Sequence, residues 1–216
     1  MRDSTPPSLI AIDGPAASGK STLGRRLAER LGYRFLDTGL MYRAFTLAAL
    51  RAGIEPTPEA CGPLAATLDM RLVGEPEAHV CLGEEDVTGE LHTDKIEQHV
   101  GAYSRVPEVR AAMRAQQRQF ASAGRAILAG RDIGEVVLPE AGLKFYLEAD
   151  EAVRAARRRG ERPAAETPLE QALRTRDQHD APRTFRAGDA VVIDTTHLTL
   201  EAVIAQAWEA IQCYSG

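Results

Sequence analysis

The sequence predicts an α/β fold: a central parallel β-sheet flanked by helices on both faces. Three observations carry this. Short apolar runs recur at 9–12 (Leu-Ile-Ala-Ile), 126–129 (Ala-Ile-Leu-Ala) and 190–193 (Ala-Val-Val-Ile), the pattern of strands buried on both faces. Stretches with helical spacing alternate with these runs, as parallel strands joined by crossover helices require. The 216 residues, 44% hydrophobic and 26% charged, suit one compact domain with a sizeable core.

The run at 9–12 ends at Asp13-Gly14, and a helix follows in which Leu23, Leu27 and Leu31 recur every fourth residue until Gly32 stops it. Phe35-Leu36 marks a second strand, ending at Asp37-Thr38-Gly39. Residues 40–52 read as a helix with Tyr42, Phe45, Ala49 and Leu50 on one face. The chain then changes character. Residues 53–67 are rich in Pro, Gly and Ala. Residues 70–73 and 79–82 read as a hairpin joined by Gly74-Glu75-Pro76-Glu77, and 84–103 are polar. This block reads as an insertion. A helix is expected over 104–121, with Val106, Val109, Met113 and Phe120 as anchors. The strand at 126–129 ends at Gly130-Arg131-Asp132, and 143–147 is a further strand. Residues 150–183 are dominated by charge. Arg154, Arg157, Arg158, Arg159 and Arg162 read there either as a solvated helix face or as part of a lid. A last helix follows at 199–212. In such sheets ligands sit at the carboxyl ends of the strands.

Net charge is −5, which argues against a chain that coats nucleic acid or an anionic membrane. The basic residues are lopsided, with only three lysines beside 23 arginines. That excess reads as codon bias or as a planar, bidentate grip on phosphate. Cys61, Cys81 and Cys213 are far apart and form no CxxC, so reduced thiols are expected rather than a disulfide framework or zinc site. None of the five histidines, His79, His92, His99, His179 and His197, forms a metal-ligand spacing, so they read as structural or surface residues. The N-terminus lacks the long apolar stretch of a signal peptide, and no run is long enough to span a bilayer, so a cytoplasmic protein is expected.

Residues 14–21 read Gly-Pro-Ala-Ala-Ser-Gly-Lys-Ser, a GxxxxGK[ST] phosphate loop placed between strand and helix. Gly14 and Gly19 permit backbone angles that turn successive N–H groups inward, and the following helix adds its positive end. Gly14, Pro15, Ala16, Ala17, Ser18, Gly19, Lys20, Ser21 and Thr22 are therefore expected to hold ATP. Lys20 would reach the β- and γ-phosphates, and the Ser21 hydroxyl would ligate Mg²⁺. A switch GTPase reads guanine with Asn-Lys-x-Asp, but this chain contains no Asn. The transporter-ATPase signature Leu-Ser-Gly-Gly-Gln is absent too.

The remaining pieces are Asp37-Thr38-Gly39-Leu40-Met41-Tyr42-Arg43, Gly130-Arg131-Asp132-Ile133-Gly134 and Arg176-Asp177-Gln178-His179-Asp180-Ala181-Pro182-Arg183. With Ile12-Asp13-Gly14-Pro15 and Ile193-Asp194-Thr195-Thr196, they resemble bacterial cytidylate kinases, in the family's order over nearly the whole chain. The resemblance implies a P-loop nucleoside-monophosphate kinase fold in a single domain, 1–216. Its core would be 1–55, 104–150 and 189–216, its monophosphate-binding insertion about 56–103, and its lid side about 151–188. It implies ATP-dependent phosphorylation of CMP and dCMP, with Mg²⁺, by a monomer that takes small-molecule substrates only. By position, Arg43, Arg131 and Arg183 would clamp the CMP phosphate, and Thr38 and Tyr42 would line that pocket. Arg110 and Asp132 would read cytosine, and Asp180 with Arg176 would contact the ribose. Lys20, Arg131 and Arg183 would be the catalytic set. The chain departs from the family at Gly101, where a serine is frequent, leaving that contact to Ser104 or water. It also has a shorter segment between Arg183 and Asp189.

Three functions compete at this stage: an ATP:CMP phosphotransferase, a small-molecule P-loop kinase with another nucleotide as acceptor, and a nucleotide-binding switch or regulatory protein with little catalysis. The pyrimidine-type motifs favour the first. The missing Asn-Lys-x-Asp element and the Arg-rich second site disfavour the third.

Overall fold

The computed structural model describes residues 5–161 and 184–214. β1 (Leu9–Asp13) leads through the Gly-rich loop into α1 (Lys20–Leu31), and β2 (Arg34–Asp37) runs directly into α2 (Thr38–Arg51). The chain then builds α3 (Pro58–Thr67), a small antiparallel sheet of β3 (Met70–Val73), β4 (His79–Leu82) and β5 (Glu85–Asp86), and α4 (Asp94–Tyr103). α5 (Pro107–Ala121) returns to β6 (Ala126–Gly130). A single π-helical turn, Ile133–Val137, precedes β7 (Leu143–Glu148) and α6 (Glu151–Glu161). β8 (Val191–Asp194) and α7 (Leu200–Gln212) complete the described chain.

The five long-range strands are all parallel, in the order β2-β6-β1-β7-β8, as the buried apolar runs predict. Register matters more than order for function. Asp13 pairs with Gly130 on one side and Tyr146 on the other, and Asp37 pairs with Ala129. The ends of four strands thus meet at one edge, where the phosphate loop and the Gly130-Arg131-Asp132 turn both begin.

Alternation along each strand separates two cores. Ile10, Ile12, Ile127 and Phe145 pack with Leu23 and Leu27 of α1 and with Val203, Ala207 and Ile211 of α7. Ala11, Leu36 and Leu128 face the other way, onto Met41 and Phe45 of α2 and Val109 and Met113 of α5. Nearly all these side chains are fully buried, each contributing roughly 1.5–3 kcal/mol if large. Helices therefore cover both faces of the sheet and fix its strand ends rigidly.

Two helices are not legible in the hydrophobic pattern of the insertion. α3 occupies part of the Pro/Gly/Ala-rich stretch. Its start is set locally: the Thr57 hydroxyl accepts from the Ala60 N–H at 3.3 Å, and Pro58 stands in the first turn where no N–H is needed. α4 lies within the polar stretch, with only Ile96, Val100 and Tyr103 buried, at helical spacing. The expected helix at 104–121 begins later, at Pro107.

The elements between α2 and α5 are packed against the large sheet and its helices. Cys61, Val80, Leu91 and Ile96 belong to the same apolar cluster as α2 and α5. The hairpin turn covers the outer edge of β2: Phe35 N–H donates to Pro76 O at 2.6 Å, and Ala78 N–H donates to Phe35 O at 2.9 Å. Arg25 of α1 donates twice to the Glu77 carboxylate, at 2.6 and 2.7 Å. Among the described residues no helix is long and apolar enough to cross a membrane.

Candidate active site

The loop from Gly14 to Ser21 has the shape the spacing requires. Gly14 adopts φ 145°, and a Cβ there would lie 2.3 Å from the Leu147 carbonyl oxygen, so the loop rests directly on the end of β7. Gly19 adopts φ 96° and caps α1. The loop's carbonyls are held from outside. Arg131 donates to Gly14 O at 3.3 Å, Arg154 to Ala16 O at 3.2 Å, and the Thr195 hydroxyl to Ser18 O at 3.3 Å. Lys20 Nζ donates to Pro15 O at 2.6 Å. With its carbonyls so engaged, the loop presents a donor-rich concavity at the α1 N-terminus, the arrangement that binds phosphate.

A cleft of about 550 Å³ opens in front of it. Ala16, Ala17, Gly19, Lys20, Ser21 and Thr22 line one side. Thr38, Tyr42, Arg43, Arg110, Arg131 and Asp132 line the other. Gly14, Pro15 and Ser18 complete the loop without lining the cleft. The topology therefore brings every described site residue to one end of the sheet. Arg176, Asp180 and Arg183 lie outside the described residues, as does Arg162.

On the far wall each side chain is held by its own element. Asp37 accepts from Gly39 N–H at 2.9 Å and so starts α2, which aims Tyr42 and Arg43 into the cleft. The Thr38 hydroxyl donates to Ala129 O at 2.8 Å, tying that helix start to the end of β6. Arg43 is buried, and its Nη1 donates to Gly39 O at 3.2 Å. Arg110 of α5 reaches back to Asp132 at 2.5 Å, and its guanidinium lies 5.9 Å from the Tyr42 ring centroid. Burial pushes the Tyr42 phenol up from its ordinary value, so it stays neutral and polar. Arg114 approaches the same Asp132 oxygen at 3.8 Å. Gly101 and Ser104 both line the cleft beside this pair, and the Ser104 hydroxyl donates to Gly101 O at 3.2 Å.

Asp13 joins the two walls. Its carboxylate, 3% exposed as a residue, accepts from Ile133 N–H at 2.8 Å and Gly134 N–H at 2.7 Å. It thereby holds the turn that carries Arg131 and Asp132 against the root of the phosphate loop. Burial pushes its carboxyl up to about 6, against the pull of those two N–H groups.

The Arg-rich stretch divides by function. Arg154 supports the loop as described, and Arg157 donates to the Thr195 hydroxyl at 2.9 Å and to its carbonyl at 2.6 Å. Arg158 lines the cleft. Spacing alone did not single out Asp37, His92 or Glu97. Asp37 accepts from the Ser21 hydroxyl at 2.6 Å, and its signal was its place in the Asp37-Thr38-Gly39 motif. His92 lines the cleft, where burial, then the charge of Arg43, keeps its imidazole below the ordinary range. Nothing in the local sequence marks it.

A phosphate loop facing an arginine-lined wall across one cleft is what phosphoryl transfer between two small molecules requires, and the chain is a P-loop kinase. Its particular place is fixed by comparison. The model of the cytidylate kinase family matches residues 10–213, and the chain belongs to that family. It is 42% identical to a cytidylate kinase of Exiguobacterium sibiricum, over 93% of this chain and 95% of that one. It is 45% identical to one of Chloroflexus aggregans, covering 89% of each chain. Identity is 42% with one of Thermus thermophilus, over 91% of this chain and 95% of that protein. Among solved structures, an uncharacterised protein of Eubacterium ventriosum shares the fold with a TM-score of 0.52 at 12% identity, over 95% of this chain and 98% of that one.

Proposed function

We propose that the protein transfers the γ-phosphoryl group of ATP to CMP and dCMP, giving ADP and CDP or dCDP. The observation that carries this is the pairing of walls: a phosphate loop opposite Arg43, Arg131 and the Arg110–Asp132 pair, in one cleft. The names of the relatives point the same way.

The attacking atom is an oxygen of the CMP phosphate, already anionic, so no general base is needed. Its bond to the γ-phosphorus forms as the bond to the ADP oxygen breaks. Lys20 and the loop N–H groups hold the donor in line, while Arg43, Arg131 and Arg183 hold the acceptor phosphate. Arg131 also touches the phosphate loop through Gly14 O, which suits it to neutralise charge between the two phosphates. An Asp132 carboxyl oxygen takes a hydrogen bond from the cytosine amino group, and Arg110 holds that side chain in place. Asp180 and Arg176 take the ribose hydroxyls.

The Ser21 hydroxyl and Asp37 carboxylate supply hard oxygens beside Lys20, a donor set that fits Mg²⁺ shared with nucleotide phosphates. When bound, that ion supplies charge neutralisation on the phosphates. Among the described residues no cluster of three His, Cys, Asp or Glu could hold a metal by itself.

In this reading the block at about 56–103 is the acceptor-side subdomain and about 151–188 the lid side, around a core of 1–55, 104–150 and 189–216. Closure excludes water and suppresses ATP hydrolysis. The chain acts as a cytoplasmic monomer without nucleic-acid partners; its net charge of −5 supports the last of these. A coupled ADP-release assay across CMP, dCMP, UMP, AMP and GMP tests the proposal. CMP and dCMP are expected to be the best acceptors. Preference for a purine monophosphate would overturn it.

A further inference from the structure

Glu97 stands on α4, one helical turn before the cleft-lining Gly101. Its side chain is 18% exposed. The carboxylate accepts from Arg43 Nη2 of α2 at 3.0 Å, and it also pairs with Arg158 Nη2 of α6. Arg43 and Arg158 both line the cleft, and their side chains are only 8% and 17% exposed. One carboxylate thus ties together two largely buried guanidiniums that come from opposite sides of the insertion, 115 positions apart in sequence. His92 lies close enough to feel the charges of Arg43, Asp37, Glu97 and Arg158. Its depressed basicity keeps it neutral near pH 7, so it does not compete as a third cation.

A carboxylate and a phosphate present similar oxygens to a guanidinium, and both accept its fork of N–H donors. They differ in charge: the phosphate of a nucleoside monophosphate is close to a dianion at neutral pH. Two arginines held by one carboxylate are therefore preformed for a phosphate, and a phosphate can outcompete that carboxylate.

We infer that Glu97 is an internal stand-in for the acceptor phosphate: it holds Arg43 and Arg158 in place between turnovers and is displaced when the monophosphate binds. It sets the affinity for the acceptor and favours a phosphorylated ligand over a nucleoside, which carries no anion able to displace it. The inference rests on the reading of Arg43 as a clamp on the acceptor phosphate.

Glu97→Gln keeps the size of the side chain and removes the competing charge. The KM for CMP is expected to fall about fivefold while the KM for ATP does not follow it, on the scale of one partly screened ion pair. Inorganic phosphate, used as a competitor of CMP, should inhibit the variant at correspondingly lower concentration. The rise in Tm produced by CMP should also be larger than in the parent. A merely structural role predicts the reverse, a raised KM. Glu97→Met, near-isosteric and apolar, gives the same readout if the amide variant fails to fold. Arg43→Ala separates the two layers of the argument. A raised CMP KM there, with an unchanged or raised CMP KM in both Glu97 variants, overturns this inference alone. No effect of Arg43→Ala overturns the acceptor reading and this inference with it.

Discussion

In the proposed reading the donor wall of the cleft comes from one short stretch, residues 16–22, whereas the acceptor wall is assembled from α2, α5 and the turn after β6, spanning positions 38 to 132. The first is shaped mainly by its own backbone: Gly14 at φ 145°, Gly19 at φ 96°, and a helix that starts at Lys20. The second has no local shape. Arg43 and Asp132 meet only because β2 and β6 are adjacent and parallel, with Asp37 opposite Ala129. A site made by backbone conformation tolerates change in its neighbours, while a site made by topology depends on each tether. The comparison can be broken at either wall or at the joint between them.

The largest effect is expected at the donor wall. Lys20→Ala removes a preorganised cation from the transferring phosphates and should lower kcat by about 10³-fold. Its Nζ donates to Pro15 O at 2.6 Å and to Ser18 Oγ at 3.4 Å, both groups of the loop itself. The fold should therefore survive, with an unchanged circular dichroism spectrum. A variant with parental turnover would sink the assignment of this loop as the donor site.

At the acceptor wall, Arg43→Ala should raise the KM for CMP by about 10²-fold and leave that for ATP within a few-fold. The magnitude follows from charge-assisted bonds of about 1.5–3 kcal/mol lost to the phosphate. Steady-state kinetics with each substrate varied in turn measures both. An equal rise in both constants would mean that the two walls are not separate sites.

How much of this was legible follows from the same contrast. The parallel sheet and the phosphate loop follow from residues near in sequence: buried runs at β1 and β6, and GxxxxGK[ST] between a strand and a helix. The acceptor residues carry no periodic signature. Arg43 on α2 looks like any helix arginine until the strand register places it, and only the family resemblance picked it out. α3 and α4 were hidden because few of their residues are buried, Cys61 in one and Ile96, Val100 and Tyr103 in the other. Glu97 could not be read at all, since both its partners come from distant elements and its own surroundings look like a solvated helix.

The joint is Asp13, which belongs to the donor strand yet holds the acceptor turn. Its carboxyl is raised to about 6 from an ordinary 3.8, chiefly by burial. Below pH 3.8 the group is protonated in both states. Between 3.8 and 6 the unfolded chain has released a proton that the folded chain keeps, so this group's contribution to stability falls as pH rises and is level above 6. Asp13→Asn does not titrate. The unfolding free energy of the parent, minus that of the variant, should therefore drop by on the order of 2–3 kcal/mol from pH 4 to pH 6.5. Urea melts at closely spaced pH values measure it, and a constant difference would show that burial does not govern this carboxyl.

The smallest effect along this comparison of the two walls is also the most selective. In the proposed reading the Asp132 carboxylate oxygens face the amino group of cytosine, where uracil carries the O4 oxygen instead. Arg110, 2.5 Å away, is the donor held back by that carboxylate. Asp132→Ala removes the acceptor and releases the donor together. CMP loses a bond, and UMP gains access to a guanidinium. The ratio of kcat/KM for CMP over UMP should therefore fall by about tenfold or more, within the 1–3 kcal/mol that one well-placed base contact discriminates. The KM for ATP should hold, because the loop at 14–21 does not depend on that side chain. If the ratio stays while CMP turnover drops, Asp132 orients Arg110 without reading the base, and discrimination must come from the Gly101–Ser104 side of the cleft, where the Ser104 hydroxyl is next in reach.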